Sequence, residues 1–269
     1  MKTIYGVLGY PIKHSLSPAM HNAVFKYLSM DCEYYAFEVN KDNLKDAIYG
    51  ANALKFGGLN LTIPLKEKAL EIVDADPLSK KIGSINTIDF KDGIKGYTTD
   101  GIGAKLALKN YINIKGKNIL LLGAGGAARA IAFQFKKDGA DIVIANRTKE
   151  RAIKLAKEVG VSGYGLDNLK NLVENADLII NSTSVGMKPN TNHTLIQSDW
   201  INPDHVVFDI VYNPIETKLL ESAKKAGAKI INGVMMLVYQ GAESFKIWTG
   251  IEPPIDVMKN AVLKGLRSI

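Results

Sequence analysis

A chain of 269 residues with 46% hydrophobic content suits one large or two medium domains with packed cores, and its formal charge of +7 comes from lysines spread along the whole length. No dense basic block or aromatic-basic interleaving suggests a nucleic-acid face, so the excess reads as a lysine-rich surface suited at most to anionic small ligands. The single cysteine, Cys32, excludes an internal disulfide and a cysteine-based zinc site, and the four histidines (His14, His21, His193, His205) lack metal-ligand spacing. No apolar run reaches membrane-spanning length and the N-terminus enters a strand with no signal peptide, so a cytoplasmic protein without metal, membrane or nucleic-acid partner is expected.

In chain order, the first hundred residues predict a strand over 3–9, a helix over 18–28, a strand over 33–39, a helix over about 43–54, a strand over 58–63 and a short helix over about 66–73. A hairpin over 84–90 and 94–98 turns at Lys91-Asp92-Gly93, whose Asp-Gly pair is a strong reverse-turn signal, and a helix over about 102–110 follows. Polar residues gather at the strand ends, where α/β sheets bind ligands. In Ser15-Leu16-Ser17-Pro18, Ser17 reads as an N-cap with Pro18 at the first helical position, which leaves the Ser15 hydroxyl free. Asn60 to Lys66, Gly83 to Thr87 and Gly96 to Gly101 form three more clusters. Taken singly, their Ser, Asn and Asp residues are equally the usual formers of caps and turns.

Residues 118–122 then form a buried strand that runs into Gly123-Ala124-Gly125-Gly126-Ala127-Ala128 and a helix over 127–135. Gly123, Gly125 and Ala128 fill the small positions of G-x-G-x-x-G/A: a tight turn, room for a pyrophosphate against bare backbone, and close helix-to-strand packing. The next strand, 141–145, ends at Asn146, where an NAD-binding unit usually carries a carboxylate for the ribose 2′-hydroxyl. Instead Arg147, Thr148, Lys149 and Arg151 follow, and three of the chain's four arginines fall between 129 and 151. A guanidinium can grip a 2′-phosphate that a carboxylate would repel, so NADP is the expected cofactor.

Further strands near 177–181, 206–211 and 229–232, with His193 and His205 in loops, complete a Rossmann-type doubly wound parallel sheet by the alternation rule. Helices over about 235–248 and 255–266 are too short to be a domain, and pack most naturally on the first one. The expected architecture is α/β and two-lobed, with 1–101 and 237–269 as a substrate-binding and catalytic domain and 102–236 as an NADP-binding domain. Two chain crossings, near 100–105 and 233–237, would then make a cleft with a hinge.

Nine motifs in this order, from Ser-x-Ser-Pro at 15–18 and Asn-x-Thr-x-Pro-x-Lys at 60–66, through Ile-Asn-Thr at 85–87, Thr-Asp-Gly at 99–101, Gly-Ala-Gly-Gly-Ala at 123–127 and Asn-Arg-Thr at 146–148, to Asn-Ser-Thr-Ser-x-Gly-Met at 181–187, Asp-x-x-Tyr-x-Pro at 209–214 and Gly-x-x-Met-Leu-Val-x-Gln at 233–240, resemble the shikimate dehydrogenase family. The resemblance covers nearly the whole chain. It implies reversible reduction of 3-dehydroshikimate to shikimate with NADPH, in aromatic amino-acid biosynthesis, by a monomer or homodimer. It further implies Lys66 and Asp100 as the catalytic pair and Ser15, Ser17, Asn60, Thr62, Asn86, Tyr212 and Gln240 as the substrate shell. Gly123, Ala124, Gly125, Gly126, Ala127, Asn146, Arg147, Thr148, Arg151 and Thr183 would hold the dinucleotide, with Gly233 and Met236 beside the nicotinamide. Thr99, where the family more often has Asn, and Ser182, where Cys or Ala is common, depart from the pattern.

The chemistry suits those residue types. Reducing a ketone needs a hydride on carbon and a proton on oxygen, and an ammonium beside the carbonyl both polarises it and can donate that proton. In the oxidative direction a neutral lysine is required, so that direction is expected to run better at alkaline pH. A neighbouring Asp100 would fix the direction of Lys66 and reach a ring hydroxyl. Quinate differs from shikimate by one hydroxyl and a saturated ring, so a quinate dehydrogenase with dual substrate or NAD use is the nearest alternative. A non-catalytic sensor of the same metabolite is the alternative outside enzymes, and it would have no use for a proton donor.

Overall fold

The computed structural model describes residues 2–268. These divide into two compact units, one made of the residues up to Gly103 together with those from Val238 onward, the other spanning Ala104–Leu237.

The first unit opens with β1 (Thr3–Gly9), α1 (Ser17–Tyr27), β2 (Cys32–Glu38), α2 (Leu44–Ala53) and β3 (Gly58–Leu61). A 3-10 turn (Lys68–Glu71), β4 (Asp74–Ala75), α3 (Pro77–Ile82), β5 (Thr87–Asp89) and β6 (Lys95–Tyr97) follow, and then α4 (Asp100–Leu108) begins. The six strands form one mixed sheet in the order β2-β1-β3-β5-β6-β4. β1 pairs in parallel with β2 and β3, whereas the hairpin strand β5 runs antiparallel to both β3 and β6. All four residues of β3 are buried, so Asn60 is a polar side chain inside a core strand and must find partners there.

Three local expectations change in this unit. The helix anticipated over 66–73 is only the four-residue 3-10 turn: the Lys66 carbonyl accepts from Ile85 N–H (2.9 Å), and Leu70 N–H donates to the Glu67 carbonyl (3.4 Å). Ser17 lies inside α1, with Leu16 at the N-cap, and it is Ser15 Oγ that accepts from the Ser17 N–H (3.3 Å). Ser17 is therefore not the cap that was expected, and its hydroxyl meets Tyr34 instead. The short α3 begins at Asp76, whose carboxylate accepts from Leu78 and Ser79 N–H, and it ends at Gly83 in the left-handed region (φ 75°).

The second unit contains β7 (Asn118–Leu122), α5 (Gly126–Lys137), β8 (Asp141–Ala145), α6 (Lys149–Val159), β9 (Ser162–Tyr164), α7 (Leu169–Glu174) and β10 (Leu178–Asn181). A 3-10 turn (Ser198–Trp200), β11 (Val206–Asp209), α8 (Lys218–Lys225) and β12 (Lys229–Ile231) complete it. Every pairing is parallel and the order is β12-β11-β10-β7-β8-β9, the doubly wound arrangement whose direction reverses between β7 and β10. β9 was not anticipated; it is three residues long, with Ser162 and Tyr164 exposed. Buried apolar residues of β7, β10, β11, α7 and α8, among them Leu120, Ile179, Val207, Val173 and Leu220, fill one face of the sheet.

The chain then runs through α9 (Val234–Thr249) to α10 (Ile255–Arg267). α10 packs on α1, where a side chain at Gly265 would collide with Leu16. α9 contributes Phe245 and Trp248 to an aromatic cluster with Tyr5, His21, Phe25 and Tyr34. Trp248 occupies the notch left by Gly58, where a Cβ would lie 2.2 Å from its Nε1, and that N–H donates to the Ile88 carbonyl (2.9 Å). Among the described residues no helix is long and apolar enough to cross a membrane, and no group of three or more His, Cys, Asp or Glu could hold a metal ion.

Candidate functional site

In the first unit, Lys66 follows β3 and Asp100 opens α4. Lys66 Nζ donates to Asp100 Oδ2 at 2.6 Å, with the Lys66 side chain 15% exposed and that of Asp100 4% exposed. The carboxylate is thus fixed while the ammonium keeps an open side. Asp100 Oδ1 accepts from Asn86 Nδ2 (3.1 Å), so both carboxylate oxygens are held.

Asn86 is the next member of the cluster. Its Nδ2 also faces Thr99 Oγ1 (2.8 Å) and Gln240 Oε1 (3.1 Å), and its Oδ1 accepts from Thr99 N–H (2.8 Å). Thr99 Oγ1 donates onward to the Gln240 carbonyl (2.9 Å), which ties the start of α4 to α9. The sequence pattern treats Thr99 as a mere departure; here it locks Asn86. Gly103, one turn into α4, permits the same approach, because a Cβ there would lie 2.9 Å from Gln240 N and 2.8 Å from Gln240 Cβ. Sequence reading passed over Gly103, and its only signal was a glycine inside a helical stretch.

Asn60 stands behind this wall. Its Nδ2 faces the Asn86 carbonyl (2.9 Å), Ser244 Oγ (3.0 Å) and Thr87 Oγ1 (3.3 Å), and its Oδ1 accepts from the Tyr34 hydroxyl (2.7 Å). Ser244 also meets Thr87 Oγ1 at 2.7 Å. Both amide hydrogens of Asn60 are therefore engaged within the protein. Burial among the rings raises the Tyr34 phenol well above its ordinary value, partly offset by a hydrogen bond with Ser17. Neither Tyr34 nor Ser244 carries a sequence signal, since each belongs by spacing to an apolar or helical stretch. Ser15 and Thr62 are half-buried, and Thr62 follows the last residue of β3.

In the second unit the glycine turn has the shape a dinucleotide needs. Gly123 sits at φ +114°, where a Cβ would also lie 2.7 Å from Ser182 Oγ. At Gly125 nothing stands within 4 Å of a Cβ position, which leaves bare backbone open in front of α5. No side chain caps α5, so its first N–H groups and positive dipole end remain for an anion. Ala128 is fully buried against the sheet. Arg147 lies exposed just past β8, beside Asn146, whose Nδ2 donates to the Thr148 carbonyl (2.9 Å). Arg151 reaches back to the Ala124 carbonyl of the glycine turn (3.4 Å), while Arg129 is ion-paired with Glu158.

Two further loops lie at the C-terminal ends of β10 and β11. Thr183 Oγ1 donates to Asn181 Oδ1 (2.7 Å) and accepts from Val185 N–H (3.1 Å). Tyr212 is half-buried and Met236 buried. Gly233 has a packing reason of its own, since a Cβ would stand 2.1 Å from the Ile210 carbonyl oxygen. Burial pushes the Asp209 carboxyl up to about 6, against three hydrogen bonds that favour its ionised form.

Comparison with known proteins gives the same reading over the whole length. Three family descriptions match consecutive stretches: "Shikimate dehydrogenase substrate binding domain" over 7–88, "Shikimate / quinate 5-dehydrogenase" over 105–223 and "Shikimate 5'-dehydrogenase C-terminal domain" over 233–263. A shikimate dehydrogenase (NADP(+)) of Methanococcoides burtonii is 61% identical, covering 99% of both chains. A crystal structure of a shikimate dehydrogenase in complex with NADP+ superimposes with a TM-score of 0.93 at 47% identity, over 98% of this chain and 96% of that one. The Thermus thermophilus enzyme in complex with NADP(H) and shikimate gives a TM-score of 0.90 at 35% identity, over 98% and 99%. With the paired Lys66 and Asp100, the glycine cradle and matches across both units, the chain belongs to the shikimate dehydrogenase family.

Proposed function

We propose that this protein catalyses the reversible NADP-dependent interconversion of 3-dehydroshikimate and shikimate. The observation that carries the reading is the 2.6 Å Lys66–Asp100 pair, held on its second oxygen by Asn86, in a chain of this family. The backbone from Gly123 to Ala127 would hold the pyrophosphate, and Arg147 with Arg151 the 2′-phosphate. Bound NADPH supplies the hydride. Thr148 and Asn146 line the adenosine side, and Thr183, Gly233 and Met236 the nicotinamide side.

Lys66 donates a proton from Nζ to the carbonyl oxygen as negative charge develops there, and takes it back in the oxidative direction. Asp100 fixes Nζ through Oδ2, and because Asn86 holds Oδ1 the carboxylate cannot swing away. Ser15, Ser17, Thr62, Gln240 and Tyr212 provide hydroxyl and amide groups for the substrate's carboxylate and ring hydroxyls. Asn60 acts one layer behind them, since its amide hydrogens are already spent on Asn86, Thr87 and Ser244.

The test is direct. Purified protein with NADPH and 3-dehydroshikimate should consume reduced nicotinamide, and shikimate with NADP+ should regenerate it. Turnover of quinate at a kcat/KM equal to that of shikimate would replace this reading with the quinate one. Binding of shikimate with no turnover in either direction would leave only a sensor.

A further inference from the structure

Asp209 is a buried carboxylate that the chemistry above does not use. It stands at the last residue of β11, with Asn181 beside it in register at the last residue of β10. Three donors converge on it. Oδ2 accepts from Thr217 Oγ1 (2.6 Å), and Oδ1 accepts from Val211 N–H (3.0 Å) and from Asn181 Nδ2 (3.0 Å). Asn181 is thereby oriented with its Oδ1 toward the loop beyond β10, where it accepts from both Thr183 N–H (3.1 Å) and Thr183 Oγ1 (2.7 Å). Nδ2 also donates to the Val185 carbonyl (3.1 Å), so Asp209 holds the Asn181 amide from the β11 side while the loop's own backbone holds it from the other.

The loop so held is the one that closes on the glycine turn. Ser182 N–H and Oγ both donate to the Leu122 carbonyl, immediately before Gly123. On its other side, Asp209 anchors Val211, the neighbour of Tyr212, next to the Ile210 carbonyl that Gly233 packs against. An ionised carboxylate with no countercharge is costly to bury, and that cost is not needed to cap α8, which Thr217 does with its own Oγ1.

We propose that Asp209 is a positioning residue for the dinucleotide: through Asn181 it sets the Thr183 loop, and through Val211 the Tyr212 segment, as one rigid rim beside the glycine turn. The proposal rests on the NADP reading above. Asp209 touches neither cofactor nor substrate; it acts through the loops it orders.

Binding of NADPH, followed by its fluorescence or by calorimetry, tests this without turnover. Asp209→Ala should weaken NADPH by roughly tenfold or more, the loss of a charge-assisted contact that ordered the site in advance. Asp209→Asn, which restores an acceptor for Asn181 and Val211, should recover most of that loss. Thr217→Val removes the third donor, outside both loops, and should lower the melting temperature while leaving the NADPH Kd within about twofold. Amide exchange in Asp209→Ala should accelerate at 182–185 and 210–212 and not in the strands of the second unit. An unchanged NADPH Kd in folded Asp209→Ala overturns the proposal, as does an equal weakening by Thr217→Val, which would trace the effect to stability. If Asp209→Ala does not fold, Asn181→Ala cuts the same link to Thr183, and an unchanged Kd there has the same consequence. Failure of the unaltered protein to bind NADPH would instead overturn the NADP reading itself.

Discussion

Replacing Lys66 by Ala removes an ammonium whose contact with the carbonyl oxygen is strongest in the transition state, so kcat should fall by about 10²- to 10⁴-fold with a smaller change in KM. Steady-state kinetics in both directions check this, and near-normal turnover would remove Lys66 from the chemistry. Asp100→Asn should also be severe, since the 2.6 Å contact fixes Nζ; an effect confined to KM would make Asp100 a substrate ligand only. For the cofactor, Arg151 is drawn toward the glycine turn and Arg147 lies free at the surface, so the two can share a 2′-phosphate. The Arg147→Ala/Arg151→Ala double variant should lose NADP by roughly ten- to a hundredfold while NAD is nearly unchanged. Equal losses with both cofactors would show that these arginines only support the fold. At this scale the sequence disclosed residue types better than their partners. Lys66, Asp100 and Asn86 could be singled out only through the resemblance of their motifs to a known family, since each taken alone reads as a cap, turn or surface residue. That Asn60 faces inward, and that Tyr34 and Ser244 hold it, was not, since those contacts join residues as much as 184 positions apart.

Among the elements, α4 and α9 cross with no room for a side chain between them. Gly103→Ala would place a methyl group against backbone atoms of Gln240, which cannot yield as the end of a side chain can. Overpacking of this kind costs about 1–3 kcal/mol, so the melting temperature should fall and the shikimate KM rise by roughly tenfold, with the NADP KM little changed. An unchanged shikimate KM would show that the helices separate freely. The strands and helices with strong periodicity, 118–122, 141–145 and the run after 234, were legible nearly to the residue. What was missed is short: β4, α3 and β9 span two, six and three residues, too few to carry a period, although Asp76-Pro77 and Gly83 mark both ends of α3 by cap chemistry alone. After Lys66 the expected helix gives way to a 3-10 turn whose Lys66 carbonyl is bonded by Ile85 N–H, a partner that no window of neighbouring residues contains.

For the molecule as a whole, acid should act through the buried histidines, His205 and above all His21. It is fully buried among Phe25, Tyr34, Phe245 and Trp248 with neither ring nitrogen hydrogen-bonded, and burial pushes its pKa down to about 3 from an ordinary 6.5. The unfolded chain then binds a proton that the folded one refuses, so stability is lost as pH falls from about 6.5 toward about 3. Asp209 works in the opposite sense: raised to about 6, it costs stability as pH rises from about 4 to about 6. In a comparison with His21→Phe the Asp209 contribution cancels. Between pH 7 and pH 5 the unaltered protein should lose about 2 kcal/mol relative to that variant, measured by urea unfolding at each pH. Parallel pH profiles would mean that His21 is protonated in place. The route of the chain through its two units has another consequence, for the order of synthesis. The second unit is one uninterrupted stretch, whereas the first needs Ser244 for the buried amide of Asn60 and Trp248 for the notch at Gly58, both carried by α9. While the ribosome is still working through the second unit, β3 and β5 already exist but lack Ser244 and Trp248, so the notch at Gly58 and the Ile88 carbonyl wait uncovered, a state that invites chaperones and aggregation alike. The unit that begins the chain is therefore the last to finish folding.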